Sequence, residues 1–461
     1  MSTDTPSGPK LTRKPVATTL LRMALPMLGG TFALNAFNLT DTWFVAQLGT
    51  LPLAAMGFSF PVVMFLVSIT FGLGTGATAV VSHALGSSDH ALAKRITTHA
   101  LILSVCIVAC VSTVGLLTID PLFRLIGAND SVLPMIHEYM TIWYLGVVFM
   151  VVPMIANNII RATGDTVLPS MIMILSSVLN MILDPIMIFG WMGFPSMGIR
   201  GAALATLIAR AVAGVVVLWC LHHRYQLLAL QIPKWHSMWQ SWKEVLKIGL
   251  PSSLSSVLIP ISGAVITYMV AQYGEEAVAA CGAASRIEMF AFMIPMALGV
   301  TLVPFVGQNF GAKRLDRVKE AQRISYAFAV CFGILVAICF GLFARNLAQL
   351  FSDDQEVLSI LTQYLTIVPI GYGLMELHRY SGFFLNAIKK PLHSTGVNVT
   401  RILVLLIPLT VAGSHYYGLS GLFWGRIACD LISGVVGMIW SHRVLNNLIL
   451  HSQNDEIPVA K

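Results

Sequence analysis

The sequence predicts an all-α polytopic membrane protein, with twelve transmembrane helices in two six-helix lobes related by a pseudo-two-fold axis along the membrane normal. Three observations carry this. Of 461 residues, 56% are hydrophobic and only 11% charged, with a mean hydropathy of +0.78, far from soluble norms. Twelve apolar runs are each long enough to cross a hydrocarbon core. The first six runs recur in the last six, at a constant offset of 225 residues through Gly146 and a slightly shifted one after it.

The first run, 18–46, contains the charge-free stretch between Arg22 and Asp41, which places Asp41 at membrane depth. An ionised carboxylate there costs several kcal/mol, so such residues line cavities or carry protons. Pro26 lies two turns into the same helix, where it removes a backbone hydrogen bond and marks a bend. The polar stretch before Thr18 carries Lys10, Arg13 and Lys14, and the long run after it shows no cleavage site, so the first helix is retained. The remaining spans are 52–83, 96–119, 133–157, 166–190, 198–222, 245–271, 277–307, 322–343, 357–384, 394–412 and 418–441.

Basic residues orient the chain. They fill the N-terminus and the loops after even helices, at Lys94 and Arg95, Arg161, Lys234 to Lys247, Lys313 to Arg323, and Lys389 and Lys390. The other loops hold Arg124, Arg200, Arg286 and Arg345 and no lysine, so both termini are expected in the cytoplasm, with the chain multi-pass in the inner (plasma) membrane. The net charge of +7 follows this topology rather than a nucleic-acid face. The expected division is an N-terminal lobe over 1–222, an interlobe loop over 223–243, a C-terminal lobe over 244–445 and a tail over 446–461. Pro233, Trp235, Trp239 and Trp242 suit an interfacial loop segment.

The repeat needs no gap over its first part. Leu25-Pro26 matches Leu250-Pro251, Val45-Ala46-Gln47 matches Val270-Ala271-Gln272, and Gly49, Gly57, Gly74 and Gly86 recur at 274, 282, 299 and 311. Tyr139 matches Tyr364 and Gly146 matches Gly371, after which the register shifts and Gly198, Gly201 and Gly214 recur at 418, 421 and 434. Six is even, so both copies share an orientation and substrate is expected between them.

The run TDTWFVAQLG followed by LPLAAMG, the Leu-Pro openings of helices 1 and 7, RATGDT after helix 4 and the six-plus-six repeat resemble the multidrug and toxic compound extrusion (MATE) transporters over nearly the whole chain. The resemblance implies a V-shaped bundle that exports organic, often cationic, compounds on a proton or sodium gradient; a monomer without a cofactor is expected, and the seven cysteines, mostly within apolar runs and with no CxxC spacing, predict neither disulfides nor a metal site. The sodium-coupled NorM-type branch carries a glutamate in helix 7, whereas here no acid stands between Leu250 and Gln272. The pattern is more similar to the DinF-type branch, whose proton site lies in the first lobe.

Four acids fall well within spans: Asp41, Asp184, Glu376 and Asp430. Asp430 is four residues from Arg426 and Glu376 three from Arg379, so both read as neutralised same-helix pairs. Asp41 and Asp184 have no such partner, and the repeat offers Ile266 opposite Asp41 and Leu405 near the counterpart of Asp184. Each lies nineteen residues past the charged start of an odd helix, roughly 28 Å along at 1.5 Å per residue, so the two share a level. Asn180, one turn from Asp184, and Thr206, six residues into the descending helix, reach a comparable depth and can hydrogen-bond a carboxyl. Neighbouring carboxylates in a poor dielectric favour sharing a proton. Asn157 joins this set through the resemblance alone, since counting places it one turn before Arg161.

Tyr139, Met27, Asn35, Phe37 and Met173 are candidate cavity residues, aromatic for stacking on a cation or soft and adaptable. Trp143 shares the face of Tyr139, and an interfacial-belt role serves both equally. Arg210 and Arg401 lie within spans and either pair with acids or face water. No GxxxxGK[ST] loop, HExxH or GxSxG motif occurs, which argues against a nucleotide-driven pump or an intramembrane enzyme. The readings that remain are a proton-coupled exporter, a sodium-coupled one, and a flippase for lipid-linked precursors, which would favour a strongly cationic cleft. The partners expected are small-molecule drugs or toxic organic cations and the lipid bilayer, with no nucleic acid.

Overall fold

The protein is described by a computed structural model covering residues 10–229 and 234–454, with side chains described to residue 450. It is helical throughout: α1 Val16–Ala46, α2 Thr50–Gly86, α3 His90–Leu117, α4 in two segments, Leu133–Gly146 and Val148–Ala162, α5 Val167–Phe189, α6 Ile199–His223. The second series is α7 Trp235–Ala271, α8 as Glu275–Ala291 and Met293–Gly311, α9 Leu315–Gln349, α10 Gln355–Ala387, and a run from Pro391 to Asn454. That last run breaks at Tyr417 (φ −130°, ψ 15°) and Gly418 (φ 62°, ψ −146°), giving α11 (391–416) and α12 (419–454). Among the described residues ten helices are long and apolar enough to cross a membrane, eleven with the two segments of α4, which meet at 45°, taken as one span, and the break at Gly418 divides the last of them in two.

The repeat is written into the backbone as well as the sequence. Left-handed residues recur in register: Gly49 (φ 109°) with Gly274 (φ 104°), Ser88 (61°) with Lys313 (58°), and Gly164 (91°) with Lys389 (59°). Each pair is 225 apart, and Gly198 (54°) with Gly418 (62°) shows the later shift. Left-handed backbone is costly for residues other than glycine, so Ser88, Lys313 and Lys389 are held there by the turns between helices. The RATGDT stretch is one such turn. Asp165 accepts from the amides of Val167 (2.9 Å) and Leu168 (3.1 Å), capping α5, and its other oxygen accepts from Tyr225 (2.6 Å) beyond the end of α6. Burial and that bond push the Tyr225 hydroxyl well above the ordinary phenol range.

Two compact units result, one from residues 22–253 and the other from 11–21 with 254–454. The division therefore falls inside α1 and inside α7, not in the 223–243 connection. Within that connection helix begins at Trp235, ten residues before the expected span, so Trp235, Trp239 and Trp242 ride on the first turns of α7. Trp242 is buried and donates to the His99 carbonyl (2.9 Å), and the His99 ring meets Ser241 Oγ (2.9 Å). Pro233 lies outside the described residues. The expected tail starts later too, because α12 runs to Asn454.

In the second unit the start of α1 is clasped by Arg317. This buried guanidinium donates to the carbonyls of Leu11 (3.2 Å) and Lys14 (2.5 Å) and to Asn309 Oδ1 (2.8 Å), while Gln308 accepts from the Leu11 amide (3.2 Å). Glycines permit close crossings. A Cβ on Gly333 of α9 would meet the Cα of Gly373 on α10 at 2.3 Å, and one on Gly421 of α12 would meet the Gly413 carbonyl of α11 at 1.9 Å.

Candidate functional site

In the unit of residues 22–253, α1, α4, α5 and α6 bring Asp41, Tyr139, Asp184, Asn180 and Thr206 into one neighbourhood. Asp184 is fully buried and Asp41 is 7% exposed. The two carboxylates lie close enough to feel each other's charge, and Tyr139 feels both. One turn of α5 separates Asn180 from Asp184, which puts both on the face packed against α6. The amide is oriented by its neighbours: the Thr206 backbone N–H can only donate, so the amide oxygen must face it. In that orientation Asn180 accepts from Thr206 N (3.0 Å) and Oγ1 (3.1 Å) and donates to Asp184 Oδ2 (2.8 Å). Asp41 Oδ1 is buried with no hydrogen-bond partner.

The other expected residues divide. Asn157 is buried in the second segment of α4 and makes no hydrogen bond to either carboxylate, and its Oδ1 is unpartnered. Met27 is buried where α1 meets α5, accepting from Ser170 Oγ at 3.5 Å, and Met173 lies against Gly30 in the same seam, so both pack helices together. Trp143 is buried against Tyr144. Asn35 is half-buried. Phe37 is buried, and it lines a narrow cleft with Ser176, Ser177, Asn180, Thr206 and Arg210. Pro26 sits ten residues into α1, and the helix runs on through it to Ala46.

Arg210 stands near the middle of α6 with its guanidinium carbon 5.6 Å from the centre of the Phe37 ring. Among the described residues no carboxylate lies within ion-pair distance of it. A cation–π contact returns about 0.5–2 kcal/mol, less than the ~2.5–3.5 kcal/mol that insertion scales give for arginine at the centre of a span.

The second unit treats its acids differently, and here two expectations are corrected. The expected pair of Asp430 with Arg426 does not form. Asp430 is bound by Arg401 of α11 (2.8 Å), carried on a π-helical stretch, Thr400–Leu406. Arg426 instead reaches Glu288 of α8 (2.8 Å), a fifth intramembrane acid that counting overlooked. An arginine four residues before an acid is the weaker helical orientation, and its long side chain does better across a helix interface. Glu376 before Arg379 has the better order, and that pair forms at 2.9 Å. Tyr364 and Tyr372 also donate to Glu288, at 2.8 and 2.7 Å. Tyr364 is the repeat partner of Tyr139, and that symmetry was the available signal for a carboxylate here.

A duplicated twelve-helix bundle with buried, uncompensated carboxylates in one copy defines a polytopic membrane transporter. The MatE family model matches the chain twice, over residues 26–186 and 251–412, each match opening on the proline of a Leu-Pro pair. The chain belongs to the MATE family, whose members are transporters and not enzymes. It is similar to the FAD transporter of Shewanella oneidensis, 37% identical over 93% of this chain and 95% of that one. It is also similar to the multidrug export protein MepA of Staphylococcus aureus, at 25% identity over 93% and 94% of the two chains. Among solved structures, the Vibrio cholerae MATE transporter VcmN in its bent form superposes with a TM-score of 0.88 at 34% identity, over 94% of this chain and 97% of that one.

Proposed function

We propose that this MATE efflux transporter exports small organic compounds, cationic drugs among them, from the cytoplasm across the inner membrane in exchange for protons, acting as a monomer. Asp41 and Asp184 take up the proton, Asn180 and Thr206 hold the carboxyl of Asp184, and α1 bends about Pro26 to expel the cargo. The observation that carries the proton reading is an asymmetry. All three carboxylates singled out in the second unit, Glu288, Glu376 and Asp430, are paired with arginine, whereas Asp184 has only an amide and Asp41 Oδ1 has nothing. An unpaired ionised carboxylate at that depth is costly, so gain or loss of a proton there changes the energy of its surroundings most. With a permanent counter-ion already in place, the second-unit acids have far less to gain from titration.

This placement of the proton-active acids supports the DinF-type reading over the NorM-type one. The test is efflux from loaded vesicles under an imposed proton gradient, then a sodium gradient, then neither. Export driven by the proton gradient and lost in Asp41→Asn is the expected result, and export that responds to sodium alone overturns the reading.

A second reading of the cargo follows from the relative named as an FAD transporter: a compound with an aromatic ring system and phosphate. The 37% identity over 93% of the chain favours keeping it beside the cationic drugs.

A further inference from the structure

Resting on the export reading above, we infer that Arg210 and Phe37 form the subsite in the first-unit cleft for an organic anion: an aromatic compound bearing a phosphate or a carboxylate. Three buried or half-buried arginines of the second unit are consumed by acids, Arg379 by Glu376, Arg401 by Asp430 and Arg426 by Glu288. Arg161, in the first unit, donates to the neighbouring Asn158 amide at the end of its helix. Arg210 differs from all of these. It stands eleven residues into a 25-residue helix, roughly 16 Å from its start at 1.5 Å per residue. Its guanidinium carbon lies 5.6 Å from the centre of the Phe37 ring, and among the described residues no side chain takes its N–H donors in a hydrogen bond or ion pair.

Those donors have the fork geometry that matches phosphate or carboxylate oxygens two at a time. The cleft supplies the rest of a recognition set. Ser177 lines it beside Arg210, and Phe37 forms part of its wall. Ser176 donates to the Ala209 carbonyl (3.4 Å), fixing α5 against the turn of α6 that carries Arg210. Asn180 and Thr206 belong both to this cleft and to the Asp184 network, so an anion on Arg210 sits one residue away from the proton-active pair. The cargo and the coupling ion thus share a hydrogen-bonded wall.

Flavin mononucleotide and riboflavin share a ring and differ by one phosphate, so they isolate the charge. Their binding to the full-length protein, purified in detergent, is read by quenching of flavin fluorescence. The wild type is expected to bind the mononucleotide about tenfold or more tightly than riboflavin, the size of a charge-assisted hydrogen-bonded contact. Arg210→Gln should abolish that preference, and Arg210→Lys should keep part of it. A carboxylated aromatic dye run against its amide asks whether carboxylate serves as well as phosphate. Equal affinity of the wild type for the two flavins, or a preference that survives in Arg210→Gln, overturns the inference. If Arg210→Gln does not fold, the wild-type comparison and the Arg210→Lys variant still decide. The two readings fail separately: proton-driven export of the cation ethidium with no flavin preference sinks only the anion subsite. Phosphate preference without proton-driven export of any compound sinks only the coupling.

Discussion

At the scale of single residues, what distinguishes one buried carboxylate from another is whether an arginine accompanies it. Asp41→Asn and Asp184→Asn each fix the neutral form, so proton-driven efflux should fall to the level of empty vesicles at normal protein abundance. Glu376→Gln should retain most of it, because Arg379 then loses only a partly exposed ion pair. Loss of transport in Glu376→Gln at normal abundance would instead place a coupling ion in the second unit. The arginine pairs predict stability rather than transport. Arg401→Ala leaves Asp430 buried without its cation, which costs about 3–5 kcal/mol, while Arg401→Leu with Asp430→Leu should be far milder. Thermal unfolding in detergent checks this order, and equal losses in the two variants would show that the pair contributes little through its charge.

At the scale of helices, the sequence made most of the architecture legible, because glycine, proline and aromatic positions recur 225 residues apart and hydropathy marks each span. The Asp184, Asn180 and Thr206 group was legible for a related reason: one turn of α5 links the first two, and counting from charged helix ends gives the level of the third. Contacts that depend on which helix lies across the way were not. Nothing local tells Arg426 to choose Glu288 over Asp430, and nothing in the run from Trp235 shows that helix begins there instead of after Trp242. The Arg317 clasp was equally hidden, since its partners include backbone carbonyls that any sequence possesses. Its removal should be felt all the same. Arg317→Ala frees the carbonyls of Leu11 and Lys14 and should destabilise the start of α1 by about 2–4 kcal/mol, as lost hydrogen bonds to a charged donor do. Faster proteolysis within the first twenty residues reports it, and unchanged proteolysis would mean that the buried side chains of Leu11, Val16 and Leu20 hold the segment by themselves.

At the scale of the whole molecule, the chain passes from one compact unit to the other inside two helices, between Leu21 and Arg22 in α1 and between Ser253 and Leu254 in α7. The repeat-related prolines lie close by, Pro26 four residues past the first passage and Pro251 two before the second. Shared ancestry explains why both are there, and both interrupt backbone hydrogen bonding well inside a helix. Of these two helices only α1 carries a buried unpaired acid, so of the two prolines only Pro26 shares its helix with a buried acid whose charge can change. In the proposed mechanism, protonation of Asp41 and Asp184 removes their mutual repulsion and lets α1 bend at Pro26 and close on the cleft that its own Phe37 lines. Pro26→Ala restores the missing hydrogen bond and stiffens that point. Proton-driven efflux should then slow by about tenfold, corresponding to ~1.4 kcal/mol on the conformational step, while binding of cargo at high pH stays within twofold of wild type. Pro251→Ala, on a helix with no acid between Leu250 and Gln272, should slow efflux by less than threefold. Equal slowing by the two substitutions, with equal shifts in unfolding temperature, would mean that both prolines serve the architecture alone and that the bend takes no part in coupling.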